Sequence, residues 1–193
     1  LGGIGDDSLV GGAGINTVSY SDATNAITIN LASGTANGGA FGNDTFTGFI
    51  NVIGSSTSDS IIGDSGNNSI SGGIGADTVE GGLGGNTLDG GDGVDVLTYQ
   101  NATSAITINL GLNSASGTGI SDSITSFENV IGSSTNDSLI GDSGNNSISA
   151  GDGADTVEGG LGSNTLDGRD GVDVLTYQSA NSAITINLGL SSA

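Results

Sequence analysis

The chain has 193 residues and a net charge of −20, with 38 glycines, a single basic residue and no Pro, Cys, Met, Trp or His. Zero cysteine excludes disulfides and thiolate metal sites, and the lack of His, Cys and Lys removes the usual nucleophile–base pairs of catalysis. So acidic a surface is a poor match for nucleic acid or anionic lipid, and no apolar run approaches the ~18 residues of a membrane span, so neither partner is expected.

In chain order, residues 2–19 form two nine-residue rows, "GGIGDDSLV" and "GGAGINTVS". Residues 20–53 break that rhythm. "AITINL" at 26–31 alternates Ile27, Ile29 and Leu31 with Thr28 and Asn30, the pattern of a half-buried strand. One more row, "GAFGNDTFT", sits at 39–47, and "TGFINVIG" follows with Phe49, an expected core residue. Five rows then run from Gly54 to Thr98. The cycle repeats, with a spacer at 99–131 containing "AITINL" at 105–110 and Phe127, and five rows at 132–176. A third "AITINL" stands at 183–188.

These steps of 78–79 residues divide the chain into the end of one unit (1–19), two full units (20–98 and 99–176) and the start of another (177–193). Blocks 54–98 and 132–176 differ at only six positions, one of which places Arg169 opposite Gly91. Near-identical copies leave few residues tuned to one unique active site. Repeats running off both ends predict a segment of a longer chain.

Within a row, glycines permit the positive φ of tight turns. Position eight is aliphatic (Ile61, Ile70, Val79, Leu88, Leu97; Leu139, Ile148, Val157, Leu166, Leu175), spaced to stack inward from short strands. Positions seven and nine then face outward, matching their Ser, Thr, Asp and Glu. Position six alternates: Asp59, Asn68, Asp77, Asn86, Asp95, and again Asp137, Asn146, Asp155, Asn164, Asp173. Asp7 and Asp44 hold the same place in rows 2–10 and 39–47. Isolated Asp and Asn residues often do no more than cap turns. A strict register combined with so high a charge favours cation binding.

The rows resemble the calcium-binding nonapeptide repeat of RTX (hemolysin-type) proteins, G-G-x-G-x-D-x-U-x. The resemblance implies an all-β fold, a right-handed parallel β-roll with two rows per circuit. The spacers are expected to continue that solenoid as longer, wider coils rather than form a separate domain, with a cap or lateral-contact element as the alternative. It implies several calcium ions between turns one circuit apart, held by position-six carboxylates and loop carbonyls. With successive rows turning on opposite edges, the alternation predicts every Asp on one edge and every Asn on the other. Asp59, Asp77, Asp95, Asp137, Asp155 and Asp173 are then the main ligands, with Asp7 and Asp44. Asp92, Asp152 and Asp170 at position three add charge nearby. Asn68, Asn86, Asn146 and Asn164 would form a weaker or metal-free edge, where Asp64 and Asp142 could contribute.

Family members are typically exported by Gram-negative bacteria and fold outside the cell in calcium. The resemblance therefore predicts a secreted or cell-surface structural segment of a rod, filament, surface layer or adhesin stalk, continuing into or associating with copies of itself. A calcium-dependent secretion module attached to an extracellular enzyme is one alternative. An ice- or polysaccharide-binding face is the other, drawn from the hydroxyl stripe at position seven (Ser60, Ser69, Thr78, Thr87; Ser138, Ser147, Thr156, Thr165). Tyr20, Tyr99 and Tyr177, which follow the blocks, read as packing over the end of a thin core or as sugar-stacking platforms.

Overall fold

A computed structural model describes residues 2–186; the unit beginning at 177 therefore lies partly outside the described residues. The described residues are all-β, with two short 3-10 turns among them at Gly39–Phe41 and Leu110–Leu112. Successive rows lay their strands alternately in two mostly parallel sheets of ten strands each.

The first sheet runs Ser8–Val10, Asn43–Thr47, Thr35–Asn37, Thr28–Asn30, Ser60–Asp64, Thr78–Gly82, Val96–Thr98, Asn129–Ile131, Ser147–Ser149, Thr165–Asp167. The second runs Thr17–Ser19, Asn51–Ile53, Ser69–Gly75, Thr87–Gly93, Ile120–Thr125, Ser114–Gly117, Ile106–Asn109, Ser138–Ile140, Thr156–Glu158, Val174–Leu175. This is the two-row circuit of a β-roll.

Position-eight side chains stack in register. Ile61 pairs with Val79, Val79 with Leu97, and Leu97 with Val130 of the spacer; in the other sheet Val52, Ile70, Leu88 and Ile124 line up likewise. Most are fully buried, each stabilising the roll by about 1.5–3 kcal/mol relative to exposure. Leu166 is only half-buried and Leu175 is 40 % exposed at the far end of the described roll.

The spacers stay within the solenoid, but a wider coil is not what they build. Each lays three strands side by side in one sheet where a plain row lays one. Thr28–Asn30 pairs antiparallel with Thr35–Asn37, which pairs antiparallel with Asn43–Thr47; Ile106–Asn109, Ser114–Gly117 and Ile120–Thr125 repeat the meander. A thin core cannot fill a wider coil, whereas added strands lengthen an existing sheet and satisfy their backbone groups there.

The meanders fall in opposite sheets, and counting explains why. From one spacer to the next the chain fills seven places: the meander, then six strands from Asn51–Ile53 to Val96–Thr98. Seven is odd, so the next unit starts in the other sheet. Asp59, Asp77 and Asp95 lie in turns entering the first sheet, and Asp137, Asp155 and Asp173 in turns entering the second. The expectation of one Asp edge thus holds within a block and fails across blocks: the Asp and Asn edges exchange sides at the spacer.

Candidate metal centre

Along each edge the position-six side chains form a ladder. The backbone N–H of Asp59 donates to Asp77 Oδ1 at 2.7 Å, and that of Asp77 to Asp95 Oδ1 at 2.7 Å. In the second block Asp137 N–H donates to Asp155 Oδ1 (2.7 Å) and Asp155 N–H to Asp173 Oδ1 (3.0 Å). The amide edges copy this geometry, with Asn68 N–H on Asn86 Oδ1 at 2.9 Å and Asn146 N–H on Asn164 Oδ1 at 2.8 Å.

Glycine at position one makes room for the ladder. A Cβ at Gly72 would lie 2.5 Å from Asp77 Oδ2 and 2.4 Å from the Gly90 carbonyl oxygen one circuit on. The carboxylate and the stacked carbonyls therefore crowd the same bare Cα. In the sister row this position is Ala150.

The edges differ in their second atom. On the amide edge, Nδ2 donates: Asn86 to Leu83 O (3.3 Å), Asn164 to Leu161 O (2.8 Å), Asn68 to Ile50 O (2.9 Å), Asn146 to Glu128 O (3.0 Å). An ionised carboxylate has no proton to offer. Among the described residues the buried side-chain atoms with no hydrogen-bond partner are Asp7, Asp77, Asp95 and Asp155 Oδ2, all at position six. Orphaned oxygens of this kind cost free energy unless something positive meets them. Burial, with the charges of Asp59 and Asp95, pushes the Asp77 carboxyl up to about 6. Burial likewise raises Asp95 and Asp155, reinforced by their acidic neighbours.

Not every expected ligand is free. Asp59 sits in a row that carries "GSST" in place of a glycine-rich turn. Its Oδ1 accepts from Ser55 Oγ and Ile27 N–H, both at 2.8 Å, and its Oδ2 from Ser55 N–H at 2.5 Å. Asp137 is held the same way by Ser133 and Ile106. Asp44 accepts from Asp7 N–H at 2.9 Å and from the Tyr20 hydroxyl at 2.7 Å. Its counterpart Asp122, absent from the expected set, accepts from Asn86 N–H and the Tyr99 hydroxyl at 2.8 and 2.6 Å. Asp92, Asp152 and Asp170 are exposed in the turns. Asp64 and Asp142 cap their own turns through Gly66 and Gly144 N–H.

Both described tyrosines that lie under a meander, Tyr20 and Tyr99, are 1 % exposed. They are core pins, and burial raises both hydroxyls well above the usual phenol range. Phe127 is buried, whereas Phe49 is only partly so, resting edge-on against Phe46 at 5.9 Å. Position nine is not uniformly outward: Glu80 and Glu158 are buried beneath the loop that follows each block, bonded to Asn101 Nδ2 (2.7 Å) and Ser179 N–H (2.7 Å). The hydroxyl stripe at position seven is broken by Asn51 and Asn129, whose Oδ1 atoms accept from Ser69 and Ser147 N–H, and by Val96 and Val174.

Among the described residues no three His, Cys, Asp or Glu side chains converge to hold an ion. A cation on the Asp edge must therefore draw on main-chain carbonyls as well as carboxylates, which suits calcium, a hard ion taking 6–8 oxygens of both kinds. The orphaned Oδ2 atoms beside stacked carbonyls fit that requirement, and the amide edge, with its own donors, does not need it. No helix among the described residues is long and apolar enough to cross a membrane.

A search of curated proteins finds no match to the chain. The family model described as RTX calcium-binding nonapeptide repeat (4 copies) matches at residues 1–19, 53–88, 75–99, 131–166 and 152–181, more than half of the chain. RTX nonapeptide repeats bind several calcium ions. With the two-row circuit and the carboxylate ladder, that match places the chain in the RTX calcium-binding nonapeptide-repeat family.

Proposed function

We propose that this chain is a non-catalytic structural segment of a large secreted bacterial repeat protein, and that it becomes a stiff extracellular rod when calcium loads its turns. The ions sit at Asp7, Asp77, Asp95, Asp155 and Asp173, each with the turn carbonyls around it. Asp59, Asp137 and Asp44 close turns instead. The two units, 20–98 and 99–176, act as successive lengths of the rod.

One observation carries this reading: among the described residues four buried carboxylate oxygens lack any partner, and all stand at position six of glycine-rich rows. In a chain with a net charge of −20, those groups repel one another until a cation arrives. Metal affinity then becomes folding free energy. Low calcium inside the cell keeps the chain extended for export, and calcium outside folds it.

The near-identity of blocks 54–98 and 132–176 supports a repetitive rod over a one-site module. The broken stripe at position seven gives no flat, regular hydroxyl lattice for ice or polysaccharide. The test is a calcium titration followed by circular dichroism, with binding measured by calorimetry. Strand signal that rises with calcium and collapses in chelator is the expected result. A chain equally folded in chelator, with no calcium bound, overturns the reading.

A further inference from the structure

The row that closes the second spacer, "SITSFENVI" at 123–131, has no glycine, and all of it but its last residue lies outside the segments matched by the family model. It nevertheless occupies a rung of the roll. Asn129–Ile131 pairs with Val96–Thr98 in register, and Asn129 N–H donates to Asp95 O at 2.9 Å. Glu128 takes position six and Ser126 takes the left-handed turn position, with φ of 57°.

Glu128 also takes over the ladder. Its Oε2 accepts from Asp95 N–H at 2.8 Å, as Asp95 Oδ1 accepts from Asp77 N–H. Ser126 O replaces the stacked glycine carbonyl: a Cβ at Gly90 would lie 2.0 Å from it and 2.9 Å from Asp95 Oδ2. Asp95 is fully buried, and that Oδ2 has no partner.

The first junction supplies an internal comparison. There Asn16 stands where Asp95 does, Gly48 where Ser126 does, and Ile50 where Glu128 does. Asn16 Nδ2 donates to Gly48 O at 2.9 Å, so an amide proton meets the carbonyl and no charge is needed. At the second junction the amide is replaced by a carboxylate, and the apolar residue beyond it by a second carboxylate. Acid beside acid with no donor is unfavourable unless a cation takes the place of the amide proton.

We infer that Asp95, Glu128 and the Ser126 carbonyl form a junctional calcium site that ties the first nonapeptide block to the second spacer. This rests on the calcium-loaded reading above and adds a ligand from outside the nonapeptide rows. The site makes the spacer a metal-bound continuation of the ladder on that edge. At the first junction, Asn16 and Ile50 let the same rung stand without metal.

Calcium stoichiometry of the whole chain, by native mass spectrometry and calorimetry with circular dichroism as the fold check, tests it. Glu128→Ile, which installs the residue of the first junction, is expected to bind one ion fewer. The pair Asn16→Asp with Ile50→Glu is expected to bind one more. An unchanged count in a folded Glu128→Ile overturns the junctional site while leaving calcium loading elsewhere intact. Should Glu128→Ile lose its strand signal, the gain pair decides: one added ion supports the site and none overturns it. A wild-type chain that binds no calcium overturns this site and the broader reading together.

Discussion

The Asp and Asn edges of one block share a backbone, a ladder and nearly isosteric side chains. They differ by one atom per rung, an oxygen where the other has an NH2. On the Asn edge that NH2 meets a turn carbonyl, so the edge is complete in the protein alone. On the Asp edge the same place holds an orphaned oxygen. A single-atom exchange thus separates a self-sufficient turn from one that needs a cation. On the proposed calcium loading, half the roll is conditional on calcium while the other half supplies a scaffold to fold against.

The comparison breaks most completely if the Asp edge is converted. The triple change Asp77→Asn, Asp95→Asn, Asp155→Asn is expected to abolish most calcium-induced folding while raising stability in chelator by about 1–3 kcal/mol per rung, the cost of an unsatisfied buried polar group. Urea melts with and without calcium check both signs at once; a triple variant still as calcium-dependent as wild type defeats the assignment.

The reverse change sharpens it. Asn86→Asp should cost about 1–3 kcal/mol in chelator, because the Leu83 carbonyl loses its donor. Added calcium should recover part of that loss. Tyr99→Phe removes the hydroxyl from Asp122 and should cost about 1–3 kcal/mol in calcium and in chelator alike, since that pair belongs to neither edge's metal chemistry. A calcium-dependent Tyr99→Phe effect would mean that Asp122 is also a ligand.

The dependence on pH is milder. Asp77 titrates at about 6 in the folded chain against an ordinary value of 3.8, and Asp95 and Asp155 shift the same way. Between those limits the folded state holds more protons than the unfolded one, so metal-free stability is greatest near pH 4 and falls as pH rises through 6. Calcium affinity runs in the opposite sense, weakening below pH 6 as protons compete for the carboxylates. Melts in chelator across pH 4–7 check the sign. The smallest effect concerns Arg169, which holds φ of 68° where the sister row has Gly91. Arg169→Gly should stabilise by about 0.5–1 kcal/mol once the strain is relieved, offset in part by the lost contacts to Asp167 and Ser149.

The nine-residue register made the roll and its aliphatic columns legible, because a fixed step can only stack like residues on like. Ile61, Val79 and Leu97 follow directly from it. The alternation at position six likewise marked which turns differ. What the register could not carry is the spacer. A meander counts as one place in the stack although it spends three strands, and without that count the exchange of edges stays hidden. Asp122 was missed although it stands at position six of "GTGISDSIT" (117–125), 78 residues after Asp44, because that stretch lacks the glycine pattern of a full row; its other signal was the Tyr99 that follows the block. The turn-closing role of Asp59 and Asp137 was written in Ser55 and Ser133, hydroxyls standing where other rows carry glycine.

The odd number of places per unit gives recombination a parity rule. Were blocks as alike as 54–98 and 132–176 exchanged out of register, the product would lose or gain whole units. Removing one unit rotates every later spacer to the opposite sheet, whereas removing two restores its facing. Length variants of a gene built this way therefore fall into two classes, even and odd, that present different sides to whatever lies beside them.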